Sequence, residues 1–223
     1  MTGIPVCVFA KPPIPGRVKT RLACFLGQVE AARLASAMLC DVWSVVHNVA
    51  GVFPVLAAAE SGSFPLDVPS ERVWLQQCGD LGWRIEGILR CGLQAAPAAI
   101  ALGADSPLLT AGHLDEAIEC LNRKDAVLGP SDDGGFYLLG VHDCPSGVLA
   151  DLPWSSEETY RGTAQRLKAR GMRVGTIRSL FDVDTFADLE RLRSQLDLLP
   201  LTIAPQTRKW FDETSWSASS FQR

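Results

Sequence analysis

The sequence predicts an α/β fold, a three-layer α/β/α sandwich on a mostly parallel sheet, and two observations carry that expectation. Short, wholly apolar runs alternate with segments of helical periodicity, and strands that are apolar on both faces belong to a parallel sheet covered by helices on each side. The 223 residues, 47% hydrophobic and 21% charged, suit one large domain with a proper core and are short for two. A single domain over residues 1–223 is therefore expected, with a polar C-terminal tail from about residue 200.

Each element follows in order. "IPVCVFA" (4–10) is a buried strand that stops at Lys11, and a loop follows it. From Glu30 to Val49 apolar residues recur at 31, 34, 35, 38, 42, 45, 46 and 49, the spacing of one helix face. "VFPVLAAA" (52–59) reads as a second strand if Pro54 lies at an edge or near its start, and "RVWLQQ" (72–77) as a third. A helix begins near Gly79 or Asp80, with Leu81, Ile85, Ile88, Leu89 and Gly92 on one face. "AIALGA" (99–104) is the next buried strand, with Asp105 at its carboxyl end, and Thr110 caps a helix after it. Strands at 125–130 and 135–141 flank an Asp-Asp-Gly-Gly turn. A capping box from Ser155 to Glu158 opens a helix that stops at Gly171, "MRVGTIR" is the last strand, and Thr185 with Asp188 starts the last long helix.

The longest apolar stretches fall short of the roughly 20 residues that a membrane-spanning helix needs. No signal-like segment opens the chain, so a cytoplasmic protein is expected. Seven scattered cysteines without a CxxC pair argue against a disulfide framework or a zinc site and read as small, mostly buried thiols. The net charge of −4 excludes a generally basic, nucleic-acid-binding surface. Its distribution is uneven. Residues 1–29 hold four basic residues and no acid, whereas the stretch from Asp125 to Tyr160 holds seven acids and no Lys or Arg. A basic loop and an acidic stretch in one small domain suit a metal and phosphate site.

"KPPIPGRVKTRL" (11–22) leaves the first strand's carboxyl end, where open α/β sheets bind ligands. Pro12, Pro13 and Pro15 stiffen it, Gly16 permits a tight turn, and Lys11, Arg17, Lys19 and Arg21 supply charge for phosphates. The plainer alternative is a solvated surface loop. Neither GxxxxGK[ST] nor GxGxxG is present, which weakens ATPase and dehydrogenase readings. Asp105 in "GADSP" and Asp184 in "FDVDT" are candidate ligands for a divalent cation that bridges phosphates, with Asp182 supporting its turn; the alternative for each is helix or turn capping. Asp132 and Asp133, followed by Gly134 and Gly135, are candidates for acceptor binding or general-base work, or form a hairpin turn. At "GDLGWR", Gly79 and Gly82 leave room for a base or sugar beside Trp83 and Arg84, unless the aromatic simply packs the turn. His47, His113 and His142 have no evident nucleophile partner and read as structural.

Taken together and in order from residue 9 to 189, "FAKPPIPGRVKTRL", "QCGDLGWR", "GADSP", "GPSDDGGFYLLG" and "FDVDTFADL" resemble a family of the nucleotide-diphospho-sugar transferase superfamily, the GT-A fold. That family is glycosyltransferase-like and similar to molybdenum-cofactor and phospholactate guanylyltransferases. The resemblance implies a Rossmann-like sheet, phosphate binding by Gly16, Arg17, Lys19 and Arg21, and a divalent cation (Mg2+ or Mn2+) on Asp105 and Asp184. The sequence departs from the nucleotidyltransferase pattern in lacking GxGxR and the Pro-Lys after it. Sugar transfer from a nucleotide sugar to a small-molecule acceptor is therefore expected first. Nucleotidyl transfer from a nucleoside triphosphate comes second, and a non-catalytic nucleotide-binding module last.

Overall fold

In the computed structural model, which describes residues 3–154 and 156–214, seven strands form one sheet. They are β1 (Ile4–Ala10), β2 (Val52–Ala58), β3 (Val73–Leu75), β4 (Ala99–Gly103), β5 (Ala126–Pro130), β6 (Phe136–Val141) and β7 (Val174–Thr176). Their order is β3-β2-β1-β4-β6-β5-β7. Only the β4–β6 and β6–β5 pairs are antiparallel, so six strands point one way and β6 alone runs against them. The expected mostly parallel sheet is present.

The helices are α1 (Thr20–Leu26), α2 (Gln28–Asn48), α3 (Leu81–Leu93), α4 (Ala111–Leu121), α5 (Thr159–Ala169), α6 (Phe186–Leu196) and α7 (Pro205–Glu213). Alternation along the strands sorts their side chains between two layers. Val6, Val8, Leu56, Ile100 and Leu102 face Leu39, Val42 and Val46 of α2 and Leu114 and Ala117 of α4. Ala99, Ala101, Leu128 and Leu139 face Ile85 and Leu89 of α3 and Leu167 of α5 on the other side, and Cys7 and Val55 meet Ile88 of α3 there. The result is the expected three-layer sandwich. Pro54 is tolerated because β3 pairs with β2 only from Leu56 onward, which leaves one flank of β2 free at the proline.

Several expectations are corrected. The segment after Lys19 is not all loop, since α1 begins at Thr20 and buries Leu22; Gly27, at φ +79°, separates it from α2, which starts at Gln28 rather than Glu30. The third and last strands shorten to three residues each at the sheet edges. Asp80 caps α3 by accepting the Trp83 N–H at 2.9 Å, and the Thr185–Asp188 capping box is present. Ser155 of the other proposed box lies outside the described residues, and α5 begins at Thr159. Cys7 and Cys144 are buried as expected, but Cys24, Cys78 and Cys91 are exposed.

The polar tail expected from about residue 200 is instead, through Glu213, a docked helix. In α7, Trp210 and Phe211 are buried in a cluster with Leu34 and Met38 of α2 and Leu189, Leu192 and Leu196 of α6. Ala204 before it has no side-chain oxygen to cap the helix, so α2 supplies one: the buried Asp41 carboxylate accepts from the Gln206 N–H (2.9 Å), the Thr207 N–H (2.8 Å) and the Thr207 hydroxyl (2.7 Å). Residues 215–223 lie outside the described part. Replacing Asp41 by Ala leaves two inward-facing backbone N–H groups without an acceptor, and we expect it to cost about 2–4 kcal/mol in urea unfolding.

Candidate functional site

β2 lies on one side of β1 and β4 on the other, so the chain turns opposite ways around the carboxyl end of β1. Sheets of this kind open a crevice at such a point. A cleft of about 650 Å³ lies there, bounded by the ends of β1 and β4, the start of β6 and the loops after them. Because β6 runs backwards, its amino end brings the Asp-Asp-Gly-Gly turn to the same edge.

The basic loop lines one wall. Lys11, Arg17, Lys19 and Arg21 all reach the cleft, as does Arg84 from the first turn of α3. Arg17 meets Glu60 at 2.8 Å across an exposed pair, whereas Lys11, Arg21 and Arg84 make no ion pair among the described residues. Gly16, at φ +79°, does not line the cleft; it shapes the turn, packed against the Gln28 side chain. Lys19 has its backbone in the left-handed region (φ 46°) and its side chain only 5% exposed. Its ammonium lies 2.7 Å from Asp105 Oδ1 and 2.7 Å from Asp184 Oδ1. Burial opposes that charge, yet the two carboxylates outweigh it and hold the Lys19 pKa above the ordinary lysine value.

Asp105 and Asp184 come together because the segment before α6 runs beside the end of β4, the Val183 N–H donating to the Asp105 carbonyl at 3.0 Å. Asp182, which also borders the cleft, knots the same loops, accepting the Ser106 hydroxyl and, at 3.0 Å, the Ser131 hydroxyl. Burial pushes its carboxyl up to about 6, opposed by the Ser106 hydroxyl and reinforced by the Asp105 charge. Asp182 thus has the supporting role expected of it. Among the described residues no group of three or more His, Cys, Asp or Glu could hold a metal ion. Two half-exposed carboxylates already converging on one cation do fit a magnesium-type ion, which takes few carboxylates and completes its shell with water and phosphate oxygens.

The turn residues separate. Asp133 lines the cleft, one carboxylate oxygen accepting the Gly135 N–H at 2.9 Å, and Gly135 lines it too. Asp132 is turned away into an ion pair with Arg191 of α6 at 2.7 Å, and it is not among the lining residues. Gly134, at φ +87°, sits where a Cβ would collide with Glu157 Cα, so its bareness admits the 156–160 segment rather than a ligand. Gly82 likewise admits the Leu149 carbonyl against α3 and does not line the cleft. Away from the cleft, His113 caps α4, its Nδ1 accepting the Thr110 N–H at 3.1 Å, and His142 meets the carbonyls of Pro97 and Leu121. Sequence reasoning missed the aromatic wall of Phe9, Phe136 and Trp154, with Phe136 and Trp154 edge to face at 6.0 Å. The only signal for it was that Phe9 and Phe136 stand at strand ends facing this edge; Trp154, in the loop before α5, gave none.

No curated protein matches the sequence significantly. Residues 47–156 match a family described as "Uncharacterized protein conserved in bacteria" (DUF2064). Among solved structures, a protein assigned as a nucleotide-diphospho-sugar transferase from Desulfovibrio desulfuricans G20 superposes with a TM-score of 0.85 at 24% identity, over 96% of this chain and 97% of that one. CMP:2-keto-3-deoxy-manno-octonic acid synthetase complexed with CTP gives 0.52 at 15% identity, over 88% and 99%. 2-C-methyl-D-erythritol 4-phosphate cytidylyltransferase from Thermus thermophilus gives 0.51 at 14% identity, over 87% and 99%. The chain therefore has the fold of nucleotide-diphospho-sugar transferases and cytidylyltransferases, as the motifs implied. No described helix is long and apolar enough to cross a membrane.

Gly134→Ala combines a disfavoured φ with a backbone collision, and we expect a loss of about 2 kcal/mol or more in thermal or urea unfolding.

Proposed function

We propose that the protein is a nucleotide-dependent transferase that moves a sugar from a nucleotide sugar to a small-molecule acceptor with the help of Mg2+ or Mn2+. It does so as a single domain, in the cytoplasm and without a nucleic-acid partner. The observation that carries this reading is the convergence, in one cleft at the strand ends, of a basic loop and a facing pair of carboxylates.

Lys11, Arg17 and Arg21 would neutralise the donor's phosphates, Arg through its two-pronged fork. Asp105 and Asp184 would hold the divalent cation, whose contribution is to offset charge building on the leaving phosphate. Asp133 would take the acceptor hydroxyl's proton as its oxygen attacks the sugar carbon and the bond to the departing nucleoside diphosphate breaks. Gly135 leaves space for the acceptor beside it, and the aromatic wall offers a face for a base or sugar ring. Asp132, through Arg191, holds the turn that presents Asp133.

A second reading, attack on the α-phosphorus of a nucleoside triphosphate with release of pyrophosphate, is favoured by the likeness to a synthetase bound to CTP. A thermal-shift panel of nucleoside triphosphates, diphosphates and nucleotide sugars, with and without Mg2+ or Mn2+, tells the two apart. The larger metal-dependent shift comes from a nucleotide sugar on the first reading and from a triphosphate on the second; no shift with any of them sinks both. In the same assay Asp105→Asn should lose the metal-dependent part, and Arg17→Ala should weaken nucleotide binding about tenfold.

Turnover separates the adjacent acids. Asp133→Asn should lower kcat by roughly 10²–10⁴-fold, whereas Asp132→Asn should leave it within a few-fold. Equal losses in the two variants would remove Asp133 from the base role.

A further inference from the structure

Lys19 does not sit as a phosphate-binding lysine should. Its neighbours Arg17 and Arg21 are exposed, but its own side chain is 5% exposed, and its ammonium is 2.7 Å from each of the two carboxylates that would hold a divalent cation. Asp105 and Asp184 keep 52% and 47% of their side-chain surface exposed, whereas Lys19, which lines the same cleft, is nearly covered and bridges the two. The backbone at Lys19, left-handed at φ 46°, directs the side chain there immediately before α1 begins. A lysine and a divalent cation sharing the same two oxygens would be like charges within a few ångströms, with little water between them to screen the repulsion.

We infer that Lys19 is a tethered competitor of the divalent cation at the Asp105–Asp184 pair, released from it only when phosphates offer its ammonium another partner, so that metal and nucleotide enter the site together. This rests on the nucleotide reading of the cleft for its second half; the competition itself does not. The chain thereby keeps its acidic pair half-neutralised without a ligand, and free metal is held off until a polyphosphate offers the ammonium another partner. Linkage makes the effect reciprocal: phosphate raises metal affinity by the factor by which metal raises phosphate affinity.

The test is Mn2+ binding to the protein alone, followed by the electron paramagnetic resonance signal of free Mn2+, for the wild type, Lys19→Met and Lys19→Gly. Glycine suits the left-handed backbone and methionine keeps the stem volume. The wild type should bind Mn2+ weakly and both variants about tenfold more tightly or better. The gain should vanish when Asp105→Asn is added, which locates it at the pair. Equal Mn2+ affinity in wild type and variants overturns the inference.

Should neither variant fold, the wild type decides. Inorganic pyrophosphate, corrected for the Mn2+ it chelates in solution, should raise the protein's Mn2+ affinity by a similar factor, and no rise overturns the inference. A failure of the nucleotide reading appears separately, as absence of any nucleotide-dependent thermal shift while the Lys19 variants still gain Mn2+.

Discussion

The constraint on which the site depends is the parting of the chain around β1. β2 and β3 are laid down on one side of β1 and β4 on the other, which opens a crevice at the carboxyl ends of β1 and β4. The basic loop, the acidic turn and the first turns of α1 and α3 line it. The reversed strand β6 then turns its amino end to that edge, which is how an acidic hairpin from the middle of the sequence comes to face a basic loop from the start. Charge of both signs collects at one place because the topology allows few alternatives.

The loops are in turn fixed by buried polar contacts rather than by secondary structure. Asp182 joins the Ser106 and Ser131 turns, the Val183 N–H reaches the Asp105 carbonyl, and Leu180 bridges to Ser131 alongside β5. Burial raises the Asp182 carboxyl toward neutrality, and the two serine hydroxyls are the groups that make its placement tolerable. Such a network holds carboxylates within reach of one cation while leaving their outer faces open to the cleft, the arrangement that a phosphate-bridging ion requires.

Much of this was legible in the sequence, for physical reasons that differ by element. β1, β4, β5 and β6 are buried on both faces and therefore read as unbroken apolar runs. Thr185 with Asp188 satisfies orphan N–H groups locally, so the start of α6 could be placed. What was hidden depends on partners distant in sequence. α1 has a single buried residue, Leu22, and a lysine where a capping side chain would stand, so nothing local announces a helix. Asp132 and Asp133 are adjacent and chemically alike; only Arg191, presented by α6, sends one away from the cleft. The partners of Lys19 lie on two other loops, so its chemistry read as phosphate binding and its ion pairs did not show. Gly82 and Gly134 read as room for a ligand, whereas the space is taken by the chain's own backbone.

The Asp41 bond to α7 has a temporal side as well. It spans 165 residues, which at about 5–20 residues per second separates synthesis of its two partners by roughly 8–33 s. During that interval α2 has been made, but Leu34 and Met38 lack the cover that Trp210 and Phe211 will give them, and Asp41 lacks the N–H donors it is buried with. A growing chain therefore carries an uncovered apolar flank beside an unpaired carboxylate until α7 is translated, and that flank is where a chaperone would find it.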